Sequence, residues 1–171
     1  MGLDIAVYKL LELVENPELE EDGCLVNEDD VIKLWKHPRF PKQFDDLVDE
    51  GVYKYEQLYD FVVGGYPNYT TYRDTLAKLA NYKPVIDNDP SSKLHPFFYG
   101  AHYVKEGPFR EQIVFSDCEG VIGSKTSKKL AEDYAKYIDK AAAIGDRFFE
   151  IYLEFKKAFD LARHDGVVKF H

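Results

Sequence analysis

The sequence predicts an α+β fold: a mainly antiparallel sheet of about five to six short strands, packed by about three helices. We expect a single domain over residues 1–171. Leu3, Ile5 and Val7 alternate with other side chains at the period of a half-buried strand. Apolar side chains recur at helical spacing in the last third of the chain. Strand-like and helix-like segments do not alternate regularly, which favours α+β over a parallel sheet built from βαβ units.

The predicted strands show either period-two alternation or a short apolar run that ends at turn residues. They cover residues 3–8, 30–35, 51–59, 61–63, 112–116 and 167–171. The third and fourth of these are close in sequence, so we predict a meander there. The fifth ends in a polar turn that leads into a long helix.

The three helices are predicted from apolar stripes at spacings of three and four. The first spans residues 69–80, and the second begins after Gly123 and extends to about residue 141. The third begins with Asp146 as its N-cap. Residues 84–107 are rich in Pro, Asp and Ser, and are predicted to be a long irregular connection.

Composition and charge argue against several classes of function. The net charge of −9 has the wrong sign for a bulk attraction to nucleic acid or to an anionic membrane. No apolar run approaches the roughly 18–20 residues that span a bilayer, and the start of the chain lacks a basic, apolar leader. We therefore expect a cytoplasmic protein without a membrane partner. Cys24 and Cys118 lack CxxC spacing, which argues against a zinc ribbon or a disulfide scaffold.

The polar corner, defined as Ser116, Asp117, Cys118 and Glu119, follows a predicted buried strand and precedes a helix. Such junctions often hold ligands, because backbone N–H groups at a helix start point into the cleft. Asp117 or Glu119 is a candidate general base, and Cys118 is a candidate assisting nucleophile. The alternative is structural: the carboxylates satisfy exposed backbone donors, and the glycines that follow supply the turn conformations.

The aromatic corner, defined as Gly65, Tyr66, Tyr69 and Arg73, lies at the start of the first predicted helix. Gly65 lets a ligand approach the backbone, the tyrosines offer flat faces, and Arg73 offers a bidentate cation. This combination predicts binding of a nucleotide-like or other phosphate-bearing anion. The alternative is a turn whose tyrosines pack on the core while Arg73 pairs with an acid such as Asp74 or Glu119.

The histidines do not form a metal-binding pattern. His95 and His102 lie in the long connection without HxH, HExxH or HxxxH spacing, so we predict neither a metal nor a cofactor. His171 is a further catalytic candidate, because it would reach the polar corner if the last strand pairs beside the strand that ends at Ser116. A frayed, solvated terminus is the alternative.

Through the string Ser116 to Gly120 and the opening Met1 to Asp4, the chain resembles a family of uncharacterised small proteins from bacteria and their phages. The resemblance covers most of the chain, and its most specific part is the Ser-Asp-Cys-Glu-Gly string at residues 116–120. The other matching segments, which include the opening Met-Gly-Leu-Asp, are residues 1–5, 40–41, 46–47, 51–53, 64–69, 72–73, 115–123 and 166–171. Where the family has Gly-Ser-Tyr-Ser-Gly-Tyr, this chain has Gly-Gly-Tyr-Pro-Asn-Tyr, and Pro67 stiffens that loop. The resemblance implies a phage-like context and no particular activity.

Three functions follow as hypotheses. The first is a non-enzymatic, phage-type protein of the host cytoplasm that binds a small anionic, nucleotide-like ligand or a host defence factor, for example as a sponge for a defence signal. The second is a hydrolase or transferase with Asp117 or Glu119 as base, assisted by His171 or Cys118. The third is an acidic module that engages a basic partner protein. Self-association is compatible with each of them.

The first hypothesis requires the two corners to face each other across one cavity. Its ligand-contacting residues would be Gly65, Tyr66, Tyr69, Arg73, Ser116, Asp117 and Glu119.

Overall fold

The structure, a computed structural model, describes residues 2–21, 23–26, 29–85 and 89–171, so Met1 of the opening motif lies outside it. The described part is α+β, with one five-stranded sheet in which all neighbouring strands are antiparallel. The strands are β1 (Leu3–Leu13), β2 (Val31–Lys33), β3 (Val52–Gly64), β4 (Gly120–Ile122) and β5 (Gly166–Phe170). Their order across the sheet is β2-β3-β1-β5-β4. The α+β class and the antiparallel sheet are therefore confirmed.

The prediction of about three helices is wrong. Within the described residues the helices are α1 (Tyr66–Leu79), α2 (Pro90–Leu94), α3 (Pro96–His102), α4 (Arg110–Ile113), α5 (Ser124–Lys136), α6 (Ile138–Ala142) and α7 (Asp146–Ala162), with a 3-10 helix at Pro41–Phe44. The long connection thus contains α2 and α3. Gly145 is the N-cap of α7, and Asp146 is its first residue. None of the helices in these residues has the length and apolar character of a membrane span.

The sheet carries apolar side chains on both faces, because successive strand residues point to opposite sides. In β4, Ile122 joins the larger core, which α1, α5 and α7 cover. The preceding Val121 joins a smaller cluster that includes Leu34 and Phe44, from the segments after β2 and in the 3-10 helix. The sheet therefore lies between a helical layer and a thinner layer of loops.

The prediction of two strands within residues 51–63 is wrong, because β3 is a single strand. It pairs with β1 over the full length of both strands, from Leu3 opposite Gly64 to Leu13 opposite Tyr53. The pairing register shifts after Leu3, Val7 and Leu10. Such shifts let the two strands stay paired through positions where the alternation in the sequence is interrupted. The strands are consequently longer than predicted, since mutual pairing extends each beyond its clearly alternating part.

The prediction of a strand at residues 112–116 is also wrong. Residues 110–113 form α4, which begins after Phe109 in the left-handed region with φ of 57°. The apolar run Ile113, Val114 and Phe115 is entirely buried. A short, wholly apolar run fits a buried helical turn as well as a buried strand, so periodicity could not separate the two. The strand comes instead after the polar corner, as β4.

Candidate functional site

The polar corner and the aromatic corner meet at the Arg73 side chain, which projects from the second turn of α1 and is only 2% exposed. Its Nη1 donates to the carbonyl oxygens of Phe115 (2.7 Å) and Ile113 (3.3 Å). Its Nη2 lies 3.5 Å from Oδ2 of Asp117. Arg73 thus connects α1 to the segment that enters the polar corner.

Aromatic rings enclose the Arg73 guanidinium on two sides. Its central carbon lies 4.4 Å from the ring centre of Tyr69 and 4.6 Å from that of Phe98. Phe98 is held there because Oδ1 of Asp74 accepts hydrogen bonds from the backbone N–H groups of Phe97 and Phe98, both at 2.8 Å, at the start of α3. Two ring side chains therefore pack against Arg73.

Burial affects the ionisation of this group and of its neighbour. Desolvation lowers the pKa of Arg73, although the neighbouring Tyr69 and Asp117 oppose the shift. Burial also raises the pKa of Tyr69 to about 12, against the opposing effects of Arg73 and Gln112. The terminal nitrogens of Arg73 are paired with main-chain carbonyls and Asp117, as expected of a buried guanidinium. Its buried Nε has no hydrogen-bond partner among the described residues.

The polar corner is a compact turn shaped by Ser116. The buried Ser116 Oγ accepts from the backbone N–H of Glu119 (3.2 Å) and of Cys118 (3.4 Å), and it lies 3.5 Å from the Cys118 sulfur. Asp117 is half-buried, whereas Cys118 and Glu119 are exposed. The Ser116 hydroxyl therefore stabilises the turn, and the side chains of Cys118 and Glu119 face outward.

His171 lies at the same end of the sheet as the polar corner. Antiparallel pairing sets Gly120 of β4 opposite Phe170 of β5, so Glu119, just before β4, and His171, just after β5, lie beyond the same end of this pair. The backbone of His171 is tied down by two hydrogen bonds with Asp4, of 2.8 and 3.0 Å. The strand β5 therefore pairs with β4, and the predicted pairing beside a strand that ends at Ser116 is wrong.

The remaining members of the aromatic corner, Gly65 and Tyr66, are half-buried at the start of α1. The Gly65 carbonyl accepts from the backbone N–H of Asn68 at 2.9 Å and closes the first turn of the helix. Tyr66 packs against the main core. The five predicted site residues that approach one another most closely are Tyr69, Arg73, Ser116, Asp117 and Glu119.

A different part of the surface forms a cavity of about 580 Å³, between the 3-10 helix, the end of α3, the start of α4 and α5. We call it the basic cavity, because four cationic side chains line it together with only two carboxylates. The cations are Arg39, Lys42, Lys105 and Arg110, the carboxylates are Glu106 and Glu111, and Phe40, His102 and Thr126 add ring faces and a hydroxyl.

The charges of the basic cavity are largely unneutralised. No ion pair within the described ranges involves its four cations. Glu111 is instead paired with Lys129, at 2.5 Å. The Nε of Arg110 donates to the carbonyl of Val104 at 2.5 Å, which orients the guanidinium. In a protein of net charge −9, this is a local reversal of sign.

The pKa of His102, which also lines the basic cavity, responds to nearby cations. Its pKa is lowered by burial and, in smaller part, by the nearby cations Arg73 and Arg110. The charge on Arg73 is thus felt at the wall of the basic cavity, even though its side chain contacts other groups.

Sequence reasoning missed this cavity because its charges come from two distant segments. Arg39-Phe40-Pro41-Lys42 and the stretch from Lys105 to Arg110 are each unremarkable solvated charges in the sequence. The interleaving of a ring with two cations in the first segment was the one local signal of an anion site.

The described residues contain no group of three or more His, Cys, Asp or Glu side chains arranged to hold a metal ion. Comparison of the chain with protein-family models, with curated proteins and with solved structures finds no match.

Proposed function

We propose that this protein is a non-enzymatic binding protein for a small phosphate-bearing ligand, and that the ligand binds in the basic cavity. The observation that carries the proposal is the set of four cations without ion-pair partners within the described residues, gathered around one concave space in an acidic protein. Cations gathered around one concave space without carboxylate partners attract an anion more strongly than an isolated surface charge does. In its most concrete form, the protein sequesters a nucleotide-type signal in the cytoplasm of a phage-infected cell.

We place the anion site in the basic cavity and not at Arg73, where the sequence predicts it. Two main-chain carbonyls and Asp117 already pair with the terminal nitrogens of this residue, and the rings of Tyr69 and Phe98 pack against its guanidinium. A ligand would have to displace these groups, at the cost of leaving buried carbonyls unpaired. The cations of the basic cavity carry no such cost.

A ring-bearing ligand fits the cavity better than a simple inorganic anion. The volume of about 580 Å³ lies within the usual range of small-molecule sites. Phe40 and His102 line the cavity beside the cations, and aromatic side chains stack on nucleotide bases of any kind. A nucleotide supplies both the phosphate and the flat ring.

Titration calorimetry tests the proposal with ATP, cyclic AMP and pyrophosphate, and with adenosine as the uncharged counterpart. We expect the phosphate-bearing probes to bind and adenosine not to bind. The double variant Arg39→Gln/Lys42→Gln should weaken binding about tenfold or more, because two unneutralised contacts are lost. Lys140→Gln, an exposed change on α6, is the matched control and should leave the affinity unchanged.

Two outcomes would contradict the proposal. One is the failure of all three phosphate-bearing probes to bind. The other is equal binding by the double variant and the unchanged protein, since the contacts would then lie elsewhere. Binding should weaken when salt is raised from about 50 to about 500 mM, whether the anion binds in the basic cavity or at another cationic site. This measurement therefore tests only for an electrostatic contribution.

Binding should also depend on pH through His102. The pKa of His102 lies below its ordinary value because burial, Arg73 and Arg110 disfavour the imidazolium. A bound phosphate would offset these effects and raise the pKa, so binding would take up a proton and strengthen as pH falls from about 7 to about 5.5. Cyclic AMP is the suitable probe, because its phosphodiester keeps its charge over this range. His102→Gln should abolish this pH dependence. If the affinity of the variant for cyclic AMP rose with falling pH as much as that of the unchanged protein, the prediction would be wrong.

A further inference from the structure

A second cavity, of about 490 Å³, lies along the edge of the sheet, and its lining residues show which part of the strand it contacts. All five consecutive residues from Lys9 to Leu13 of β1 line it. Side chains of successive strand residues point to opposite faces, so a cavity on one face would contact only alternate residues. A cavity lined by five in a row therefore runs along the backbone edge of the strand. We call it the edge groove.

This edge is open because the two neighbours of β1 differ in length. β3 pairs with β1 as far as Leu13. On the other side, β5 pairs only from Ile5 to Lys9, and the last contact is the hydrogen bond from Leu10 N–H to the Asp165 carbonyl at 2.8 Å. Among the described residues, no strand follows beside residues 11–13 on that side. An extended segment could continue the line of β5 there.

The side chains at this edge and on the facing wall indicate the chemistry of the segment that would fit. Leu11 and Leu13 are 57% and 40% exposed, an apolar surface at the end of β1. The facing wall comes from residues 45–47, before β3, and from Ser124 and Lys125 at the start of α5. Four carboxylates line the groove against the ammonium groups of Lys9 and Lys125; they are Glu12, Asp45, Asp46 and Asp165. Glu12 pairs with Lys54 and Asp46 pairs with Lys125, whereas Asp45 accepts two hydrogen bonds from Thr126. Asp45 and Asp165 make no ion pair within the described residues, so two carboxylates remain against the one unpaired ammonium group of Lys9. The groove is thus acidic and apolar at once.

We propose that the edge groove is a docking site for an extended segment of a partner protein, in which apolar residues alternate with lysine or arginine. Main-chain hydrogen bonds to the end of β1 would supply affinity, and the carboxylates would select the basic side chains. Charge complementarity favours a basic segment as the occupant. The excess of carboxylates in the groove disfavours an acidic segment, and the net charge of −9 disfavours a second copy of this chain. The inference is independent of ligand binding in the basic cavity.

Nuclear magnetic resonance titration tests the docking site with two capped hexapeptides, one of alternating lysine and valine and one of alternating glutamate and valine. We expect the lysine peptide to shift the backbone amide signals of residues 11–13, and the glutamate peptide to leave them unchanged. Asp46→Lys should weaken binding of the lysine peptide about tenfold or more, because it reverses a charge on the wall and removes the ion-pair partner of Lys125. Asp46 is 75% exposed, so the fold should tolerate the change. Asp139→Lys, an exposed change on α6, is the matched control.

Each of the following results would overturn the proposal. The lysine peptide produces no shift at millimolar concentration, or the glutamate peptide binds equally well. Asp139→Lys weakens binding as much as Asp46→Lys, which would indicate a general charge effect. The amides of residues 11–13 shift with protein concentration in the absence of peptide, which would identify a second copy of the chain as the occupant.

Discussion

Replacement of Arg73 by alanine is expected to lower the free energy of unfolding by about 3–4 kcal/mol. The change removes both hydrogen bonds to the carbonyls of Ile113 and Phe115, which then remain buried without these donors. It also empties the space between the rings of Tyr69 and Phe98. The loss should appear in urea denaturation followed by circular dichroism, as a lower midpoint with little change in slope.

Two further variants separate the causes of this loss. Asp117→Asn should cost no more than about 1 kcal/mol, because that carboxylate is 3.5 Å from Arg73 and partly solvated. Arg147→Ala, an exposed change on α7, should stay within about 0.5 kcal/mol. If Arg73→Ala were as stable as Arg147→Ala, Arg73 would not be a structural connection, and its role as a ligand-binding group would regain support.

Replacement of Phe155 by alanine is expected to lower the free energy of unfolding by about 3–5 kcal/mol. Phe155 is fully buried on α7, where the helix packs over the sheet. Its ring contacts five others at centroid distances of 5.1–6.4 Å: those of Phe61, Tyr69, Tyr72, Phe159 and Phe170. Alanine leaves a cavity between two strands and two helices, which cannot close without moving all of them.

Leu153→Ala is the matched control for Phe155→Ala, because Leu153 lies on the same helix and is 41% exposed. It should cost less than about 1 kcal/mol. Thermal unfolding of both variants measures the contrast. Equal losses would show that the helix itself is sensitive to alanine, and that the aromatic cluster is not the main stabilising contact between α7 and the sheet.

Local pattern predicted several elements well, for a physical reason that can be named in each case. The alternation of Leu3, Ile5 and Val7 marks β1, because one face of that strand is buried in the main core. The apolar stripe of α7 was readable because each member faces the same core. Where both faces were covered, as for the apolar run at residues 113–115, the pattern disappeared and the assignment of a strand was wrong.

The candidate functional surfaces also consist of features that the sequence predicts and features that only the tertiary structure creates. The sequence alone established the α+β class, the acidic balance and the presence of Tyr69, Arg73 and the polar corner as notable side chains, because composition and short-range spacing are local properties. Folding decided the rest. It packed the ring of Phe98 against Arg73, gathered Arg39 and Lys105 around one cavity, and left residues 11–13 of β1 without a neighbouring strand on the β5 side within the described residues. These outcomes depend on contacts between residues far apart in the chain, and no local spacing encodes which distant segments will pack together.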